Sequence, residues 1–389
     1  MTKGAHIRVH VAVLVAVAAV ALSLLPCPAR AQIVHGQRPE VTQGLTFLSW
    51  DVTGDTAFTI QEWHVPIVAR AGLAENVELS VSGGLLNASA DWNLPDDAID
   101  GLTDSKIQVA ASLMDDQLLI SGGVSLPTGK KELNRDEQAL LAWLTSDFLN
   151  FPIKSPGEGL NLYGQIGIAA PAGEWVVGAS AAFYLAGKYK PYAGTRDYQP
   201  GSRFTADLGA QRQWTSGNRV EGDVVFTAAT DDKLDGKAVF RDGIQVDSRV
   251  MTTLALGKSR LEAGVRAILR GKDKQPGTGD VLISELNNRH GNDLRFHLGG
   301  RSPLGHALGA WVSFDAKFLA ANGYKKGLPF SEDKAHLSGF GGGLDFTLSE
   351  RTKAGIGLQG WTGSSDGALG VDNLKFSGLQ VSQYFTVTF

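Results

Sequence analysis

The chain has 389 residues with 36 Lys+Arg against 40 Asp+Glu, a formal net charge of −4, one cysteine, 48 glycines and 8 tryptophans. That acidic balance argues against a nucleic-acid partner. Once the first segment is set aside, no run of about 18 apolar residues remains to span a bilayer as a helix.

The first thirty residues are basic (Lys3, His6, Arg8), then apolar from Val11 to Leu25, then Ala29-Arg30-Ala31. This is the order of a secretory signal cleaved after Ala31. Its apolar core is short for a membrane anchor, and Pro26 beside Cys27 does not suit a lipoprotein signal. Removing residues 1–31 takes Lys3, Arg8 and Arg30 and no acid, leaving 33 basic against 40 acidic residues, a net charge of −7. The remaining chain lacks cysteine, so disulfides and thiolate metal sites are excluded. A short segment, 32–41, is expected before a single domain over 42–389.

Segments of alternating polarity then recur in pairs. Within a pair the link is short and turn-like: Ala74–Asn76, Met114–Asp116, Ala172–Glu174, Thr215–Asn218, Gly257–Ser259, Ser302–Gly305 and Ser349–Arg351. Between pairs it is mostly long and polar: Asn87–Asp104, Pro127–Gly157, Lys188–Gly201, Asp231–Gly243 and Gly271–Asn292. Short turns alternating with long loops predict an all-β chain, a transmembrane antiparallel up-and-down β-barrel. The seven inner turns delimit eight outer hairpins, hence about 16 strands, with 14 as the fallback because parity must stay even. The first hairpin is placed at Gly44–Trp50 and Phe58–Ala71.

The faces follow from the period of two. Leu261, Val265 and Leu269 are set outward against Glu262, Arg266 and Arg270; Leu294, Phe296 and Leu298 against Asp293, Arg295 and His297; Val312, Phe314 and Phe318 against Asp315 and Lys317. Phe204 and Leu208 likewise oppose Arg203 and Asp207. An outward Arg or Lys near mid-membrane costs about 2–4 kcal/mol, which this orientation avoids. Trp175 and Trp214 beside short turns fit an inner aromatic girdle, and Tyr184, Tyr189, Tyr192 and Tyr198 an outer one.

The longest loop carries a helical stripe. Over Glu137–Phe151, Leu140, Leu144 and Phe148 share a face with Trp143 close by; Asn134 and Asp136 are candidate caps and Pro152 the stop. That face must be covered on the barrel rim, in the outer leaflet or inside the mouth. Rim packing is the plainer expectation; narrowing of the mouth by Leu140, Trp143, Leu144 and Phe148 is the hypothesis with functional content. Candidate pore-lining charges are Glu62, His64 and Arg70 on one strand, and Glu262, Arg266, Arg270, Asp293, Arg295, Asp315 and Lys317 on later ones. Rows of both signs can set a transverse field, although a neutralised polar lumen needs no such role.

The last stretch alternates to its final residue, with Leu379, Val381, Phe385, Val387 and Phe389 on one face and Gln380, Ser382, Tyr384 and Thr386 on the other. This ending resembles the C-terminal signal of bacterial outer-membrane barrels. The resemblance implies an assembly-machinery partner reading Tyr384, Phe385, Val387 and Phe389, with outer-membrane lipid around the barrel. Arg70–Leu79 (RAGLAENVEL) and Ser121–Gly129 (SGGVSLPTG) resemble the hairpin and the L-P-T-G strand end of outer-membrane proteins associated with meta-pathway phenol degradation. Those are similar to the hydrophobic-compound and fatty-acid channels, which hold an N-terminal hatch where this chain has about ten residues, Gln32 to Val41. The resemblance implies passive uptake of a small hydrophobic or aromatic solute.

Catalysis has little support. The six histidines after residue 31 lack metal-ligand spacing and no G-x-S-x-G elbow occurs. Gly339–Gly343 reads as close backbone approach in a strand rather than a phosphate loop. No cofactor or metal is expected. A closed surface barrel is the alternative to a channel, and a lipid-modifying enzyme the third reading.

Overall fold

The computed structural model describes residues 38–54, 57–92, 98–191, 196–278, 281–325, 331–368 and 371–389. The expected signal (1–31, with Cys27), residues 32–37 and Tyr192 lie outside the described residues. The wall is formed by β1 (Glu40–Thr53), β2 (Phe58–Ala74), β3 (Val77–Asp91), β4 (Ala98–Leu102), β5 (Ser105–Leu113), β6 (Leu118–Leu126), β7 (Asn161–Ala172) and β8 (Trp175–Leu185). A two-residue strand in a loop, β9 (Tyr198–Gln199), precedes β10 (Arg203–Gln213) and β11 (Arg219–Ala229). The outer hairpin β12 (Asp232–Leu234) and β13 (Lys237–Phe240) leads to β14 (Gln245–Leu256) and β15 (Ser259–Arg270). A second outer hairpin, β16 (Lys274–Pro276) and β17 (Leu282–Ser284), precedes β18 (Asp293–Pro303), β19 (Leu308–Leu319), β20 (Ala335–Ser349), β21 (Thr352–Ala368) and β22 (Val371–Thr388). Among the described residues one helix, α1 (Arg135–Leu144), lies between β6 and β7.

Every wall strand pairs antiparallel with its neighbours, and β1 pairs with β22 from Glu40↔Thr388 to Thr53↔Lys375, closing the sheet. Because β4 and β5 stand end to end against β3, the 17 strands of the sheet make a barrel of 16 staves. All seven expected short turns join neighbouring staves on the side of both described ends. Closure leaves the wall without an edge to template pairing with another chain. β1 is longer than expected and begins at Glu40, inside the segment assigned to 32–41.

The outward face is the apolar one. Val265, Leu298, Val312 and Leu208 are 43%, 54%, 55% and 59% exposed, which in water would be an uncovered hydrophobic belt and in a bilayer is the lipid contact. Trp175 and Trp214 are exposed beside their turns, and the Arg212 guanidinium sits 4.7 Å over the Trp214 ring. The outer tyrosine girdle is not formed as expected. Tyr184 points into the barrel and donates to Glu158 Oε2 at 2.8 Å, while Tyr189 and Tyr198 stack edge-on at 5.8 Å in a loop. Tyr184 and Tyr198 have carboxylates to bind, so these rings serve loop packing rather than headgroups.

Stave length divides the wall. β5–β8, β10, β11, β14, β15, β18 and β19 have 9 to 12 residues, the span of a bilayer at about 9–11. β1, β2, β3, β20, β21 and β22 have 14, 17, 15, 15, 17 and 18. In their outer portions the two faces exchange character. Leu48, Trp50, Val52, Ile60, Leu86, Leu337, Leu374 and Phe376 point inward and are buried. Asp51, His336, Ser338, Thr362, Ser364, Lys375 and Ser377 line a polar groove on the outside. This half of the rim projects beyond the lipid, wet outside and oily inside.

Gly339 and Gly343 of the glycine run lie in β20 against two inward rings. A Cβ at Gly339 would sit 2.5 Å from Trp361, and one at Gly343 2.7 Å from Trp311. Close approach, as expected from the sequence, is their use.

The facing assignment predicts unequal costs for added charge. Val265→Arg, half-way along β15 on the lipid face, should lower refolding stability in vesicles by about 2–4 kcal/mol. Thr205→Lys, on the lumen face, should cost under about 1 kcal/mol. Equal losses in urea titrations would contradict the orientation.

Candidate functional site

The loop between β6 and β7 does not rest on the rim. Its base is fixed where the L-P-T-G stretch leaves the sheet. The Asp104 carboxylate accepts from the Gly129 and Glu158 N–H groups at 2.9 and 2.8 Å, joining both ends of the loop. A Cβ at Gly129 would meet the Pro156 carbonyl at 2.1 Å, so the two limbs touch there only because the residue is glycine.

From that base the chain enters α1 through a capping box. Asn134 Oδ1 accepts from the Asp136 and Glu137 amides, and Glu137 Oε2 from the Asn134 amide, each at 2.9 Å. Asp136 is therefore a first-turn acid and not the cap. The helix covers 135–144, shorter than the expected 137–151. Beyond Leu144, side-chain oxygens and wall groups take over the backbone. Thr145 Oγ1 donates to the Ala142 carbonyl, Trp50 Nε1 donates to the Leu149 carbonyl at 2.9 Å, and Lys317 Nζ donates to the Asp147 carbonyl.

Leu140 and Leu144 are 0% exposed, and with Phe148, Leu149 and Phe151 they pack onto Leu48, Trp50, Ile60, Leu337 and Phe376 of the inverted wall. Trp143 stacks edge-on against Phe58 at 4.9 Å. The apolar stripe is thus inside the mouth, correcting the rim expectation: the oily inner face of the tall staves is the surface that covers it. Leu140, Trp143, Leu144 and Phe148 fasten the loop to the wall and are turned away from the open lumen.

The segment after the helix, Thr145 to Ile153, crosses the lumen. The Ile153 amide donates to Glu62 Oε1 on β2 at 3.0 Å, while Asp147 Oδ2 accepts from Arg270 on β15 at 2.8 Å. Six staves separate β2 from β15 one way (β1, β22, β21, β20, β19, β18) and eight the other, so the segment reaches nearly across the barrel. Lys317 Nζ also donates to Asn150 Oδ1 at 3.3 Å, and Lys154 pairs with Asp147.

Between this segment and the far wall is a cavity of about 250 Å³, lined by Asn150, Met251, His297, Asp315 and Trp361 with a row of cations. Cross-strand register sets Arg249 opposite Arg266, Arg266 opposite Arg295 and Arg295 opposite Lys317. Like charges facing each other across strands repel. Acids one step outward relieve this: Arg266 Nε donates to Asp247 Oδ1 at 2.9 Å, and Arg295 Nε to Asp293 Oδ2 at 2.9 Å. Arg249 Nε donates to Asp223 Oδ1 at 2.9 Å. On the turn side, Asp315 accepts from Gln359 at 2.8 Å and lies 2.7 Å from His297 Nδ1.

The other sequence-predicted positions are scattered. Glu62 is 0% exposed beneath the loop and lines no passage. Asp293 is buried behind Arg295, and Lys317 is buried as a loop anchor. His64 is half-buried farther down β2, and Arg70 pairs with Glu40 at 3.4 Å near the turns. Glu262 stands in the lumen opposite Thr253 and Gly299. Tyr384 faces inward and donates to Asp345 Oδ1 at 2.7 Å, while Phe385 and Phe389 are exposed on the lipid side. Asp223, inward by the alternation of β11 with Val224 and Phe226 outward, belongs to the row with Arg249 and Asp247 of β14, and those two were missed. Their inward phase was available from Val246 and Val250 on either side of them, but that strand received no facing assignment.

No family model and no curated protein matches the chain. Among solved structures, it is similar to OprB of Pseudomonas putida, with a TM-score of 0.52 and 10% identity over 89% of this chain and 94% of that one. Looser likenesses are OccK2 (OpdF) of Pseudomonas aeruginosa in complex with glucuronate (0.46; 10% identity; 90% and 98% covered) and the CymD monoaromatic hydrocarbon channel (0.42; 13%; 91% and 89%). At these identities what is shared is the outer-membrane barrel fold.

The clamp has a pH signature. Burial alone would push the Asp147 carboxyl up, but the Lys154 ammonium bonded to it, with Arg270 and Lys317 nearby, outweighs burial and holds it below its ordinary 3.8. A carboxylate lowered by folding stabilises above its ordinary value and loses that contribution as pH falls through the lowered one. Any current noise from the loop should therefore stay flat from neutral pH down to 3.8 and rise only in stronger acid. Asp147→Asn should be noisy already at neutral pH; a wild-type rise above the ordinary carboxylate range would contradict the clamp.

Proposed function

We propose that this chain is an outer-membrane channel for passive passage of small solutes, narrowed by the β6–β7 loop. The observation that carries this reading is the one-sided docking of the loop's apolar face. That face is docked on the β1–β3 and β20–β22 wall, and open space lined by Arg249, Arg266, Arg295 and Met251 is left along β14, β15 and β18. A larger cavity, about 810 Å³, lies on the other side of α1 among Lys131, Gln138, Leu141, Tyr189 and Tyr198. A barrel of this size usually leaves an aqueous or plugged lumen. The apolar belt and the signal-like order of residues 3–31 support location in the outer membrane, and the exposed Phe385 and Phe389 support recognition by an assembly machinery.

The finer substrate reading, a small aromatic or hydrophobic compound, rests on the RAGLAENVEL and SLPTG resemblances. The CymD monoaromatic hydrocarbon channel is too distant to add to it. A closed surface barrel is the second reading, favoured by the loop being held on both walls, at Trp50 and Glu62 and at Arg270 and Lys317. Catalysis has no comparable observation behind it.

Planar-bilayer recording of refolded protein separates these readings. The channel reading expects stable open steps in the wild type and larger ones after deletion of 137–151. Silence of the wild type with steps only after deletion would establish the closed barrel instead.

A further inference from the structure

The row Arg249, Arg266 and Arg295 has a feature that neutralisation of the lumen does not require. Each guanidinium commits Nε and Nη2 to one aspartate: Arg249 to Asp223, Arg266 to Asp247 and Arg295 to Asp293. In all three, Nη1 finds no acceptor among the described residues. The acids are withdrawn against the wall and the cations reach into the lumen. Side-chain exposure is 48% against 22% for Arg249 and Asp223, 42% against 15% for Arg266 and Asp247, and 28% against 0% for Arg295 and Asp293. Formal charge cancels, but the surface offered to a solute is three guanidinium edges on adjacent strands about 4.8 Å apart.

The same cavity has an apolar side, Met251 and the Trp361 ring, and an amide, Asn150, on the loop above it. At about 250 Å³ it is smaller than the roughly 300–1,000 Å³ of pockets for drug-sized ligands. Guanidinium forks bind planar oxyanions with two parallel bonds, and aspartates behind them fix their orientation beforehand. A ring or short alkyl body beside such an oxyanion would rest on Trp361 and Met251.

We propose that the constriction is a selectivity site for small organic anions, a carboxylate on a compact apolar body, with Arg249, Arg266 and Arg295 binding the oxyanion and Trp361 and Met251 the body. This rests on the channel reading for its role in passage, while the binding site stands apart from it. It also reconciles the aromatic resemblance with a charged lumen: the solute is the acid and not the hydrocarbon.

The test uses the refolded full barrel and sodium benzoate, with benzyl alcohol and benzylamine as uncharged and cationic counterparts. In a salt gradient the wild type should pass chloride over potassium by about tenfold. Benzoate should reduce the chloride current in a saturable way, and the two counterparts should not. Arg249→Gln/Arg266→Gln/Arg295→Gln should bring selectivity close to unity and weaken benzoate binding about tenfold or more. Arg249→Gln alone, whose partner Asp223 keeps contact with water, should show a partial loss and covers the case in which the triple variant does not fold. Benzoate binding is also read by tryptophan fluorescence in detergent. Binding there that the Arg variants lose, with a silent bilayer, would overturn the channel and leave the site standing. A cation-preferring or unselective wild-type channel, or benzoate binding unchanged by the Arg variants, would overturn the proposal.

Discussion

The structure depends on one exchange of polarity. Along most of the wall, apolar side chains face lipid and polar ones face the lumen. In the outer parts of β1, β2, β3, β20 and β22 the order reverses, with Leu48, Trp50, Val52, Ile60, Leu86, Leu337, Leu374 and Phe376 pointing in. Such a surface cannot be left facing water inside a barrel at no cost; a buried Leu or Phe side chain is worth about 1.5–3 kcal/mol over an exposed one. The covering comes from the β6–β7 loop, whose Leu140, Leu144, Phe148, Leu149 and Phe151 complete the cluster. The reversal therefore decides that the loop folds inward and against which wall.

Polar contacts then decide where the loop's backbone runs. Partly exposed ion pairs such as Asp147 with Arg270 contribute about 0–1 kcal/mol each. The five apolar residues of the loop together outweigh them several-fold. Yet after the helix the apolar cluster places only the side chains of Phe148, Leu149 and Phe151 and leaves the backbone polar groups of that segment to find partners elsewhere. Trp50 on the Leu149 carbonyl, Glu62 on the Ile153 amide and Lys317 on the Asp147 carbonyl hold it across the lumen at three points. Glu62 is buried and meets the loop through Oε1 alone, with Oε2 unpartnered among the described residues. Its value is positional, and it is the group whose removal leaves the Ile153 amide without a partner.

The barrel was legible because its signals are periodic and redundant. Seven turns such as Ala172-Gly173-Glu174 and faces such as Leu261/Glu262/Val265/Arg266 each carry the same phase, so one ambiguous strand does not change the outcome. The resting place of α1 was not legible by that rule. Its stripe at Leu140 and Leu144 shows that something must cover it, but not what. The missing half lay in β1, where Leu48, Trp50 and Val52 alternate on the lumen side; reading every apolar residue as lipid-facing hides it. Register was equally out of reach. Arg266 and Arg295 are 29 positions apart in sequence, and only the pairing of β15 with β18 makes them neighbours. Glu62 and Asp293 failed as pore-lining residues for a related reason: an inward phase shows the side of the wall and not whether a loop or an arginine lies over it.

The segment following α1 stands in the lumen while the helix face is sealed against the wall. Thiol accessibility during single-channel recording tests it directly, since the chain after residue 31 has no cysteine and the introduced one is alone. Asn150→Cys should react with a small water-soluble thiol reagent, each event lowering the open current in one step, and Leu144→Cys should stay unmodified. Modification at Asn150→Cys that leaves the current unchanged, or ready modification at Leu144→Cys, would contradict the account.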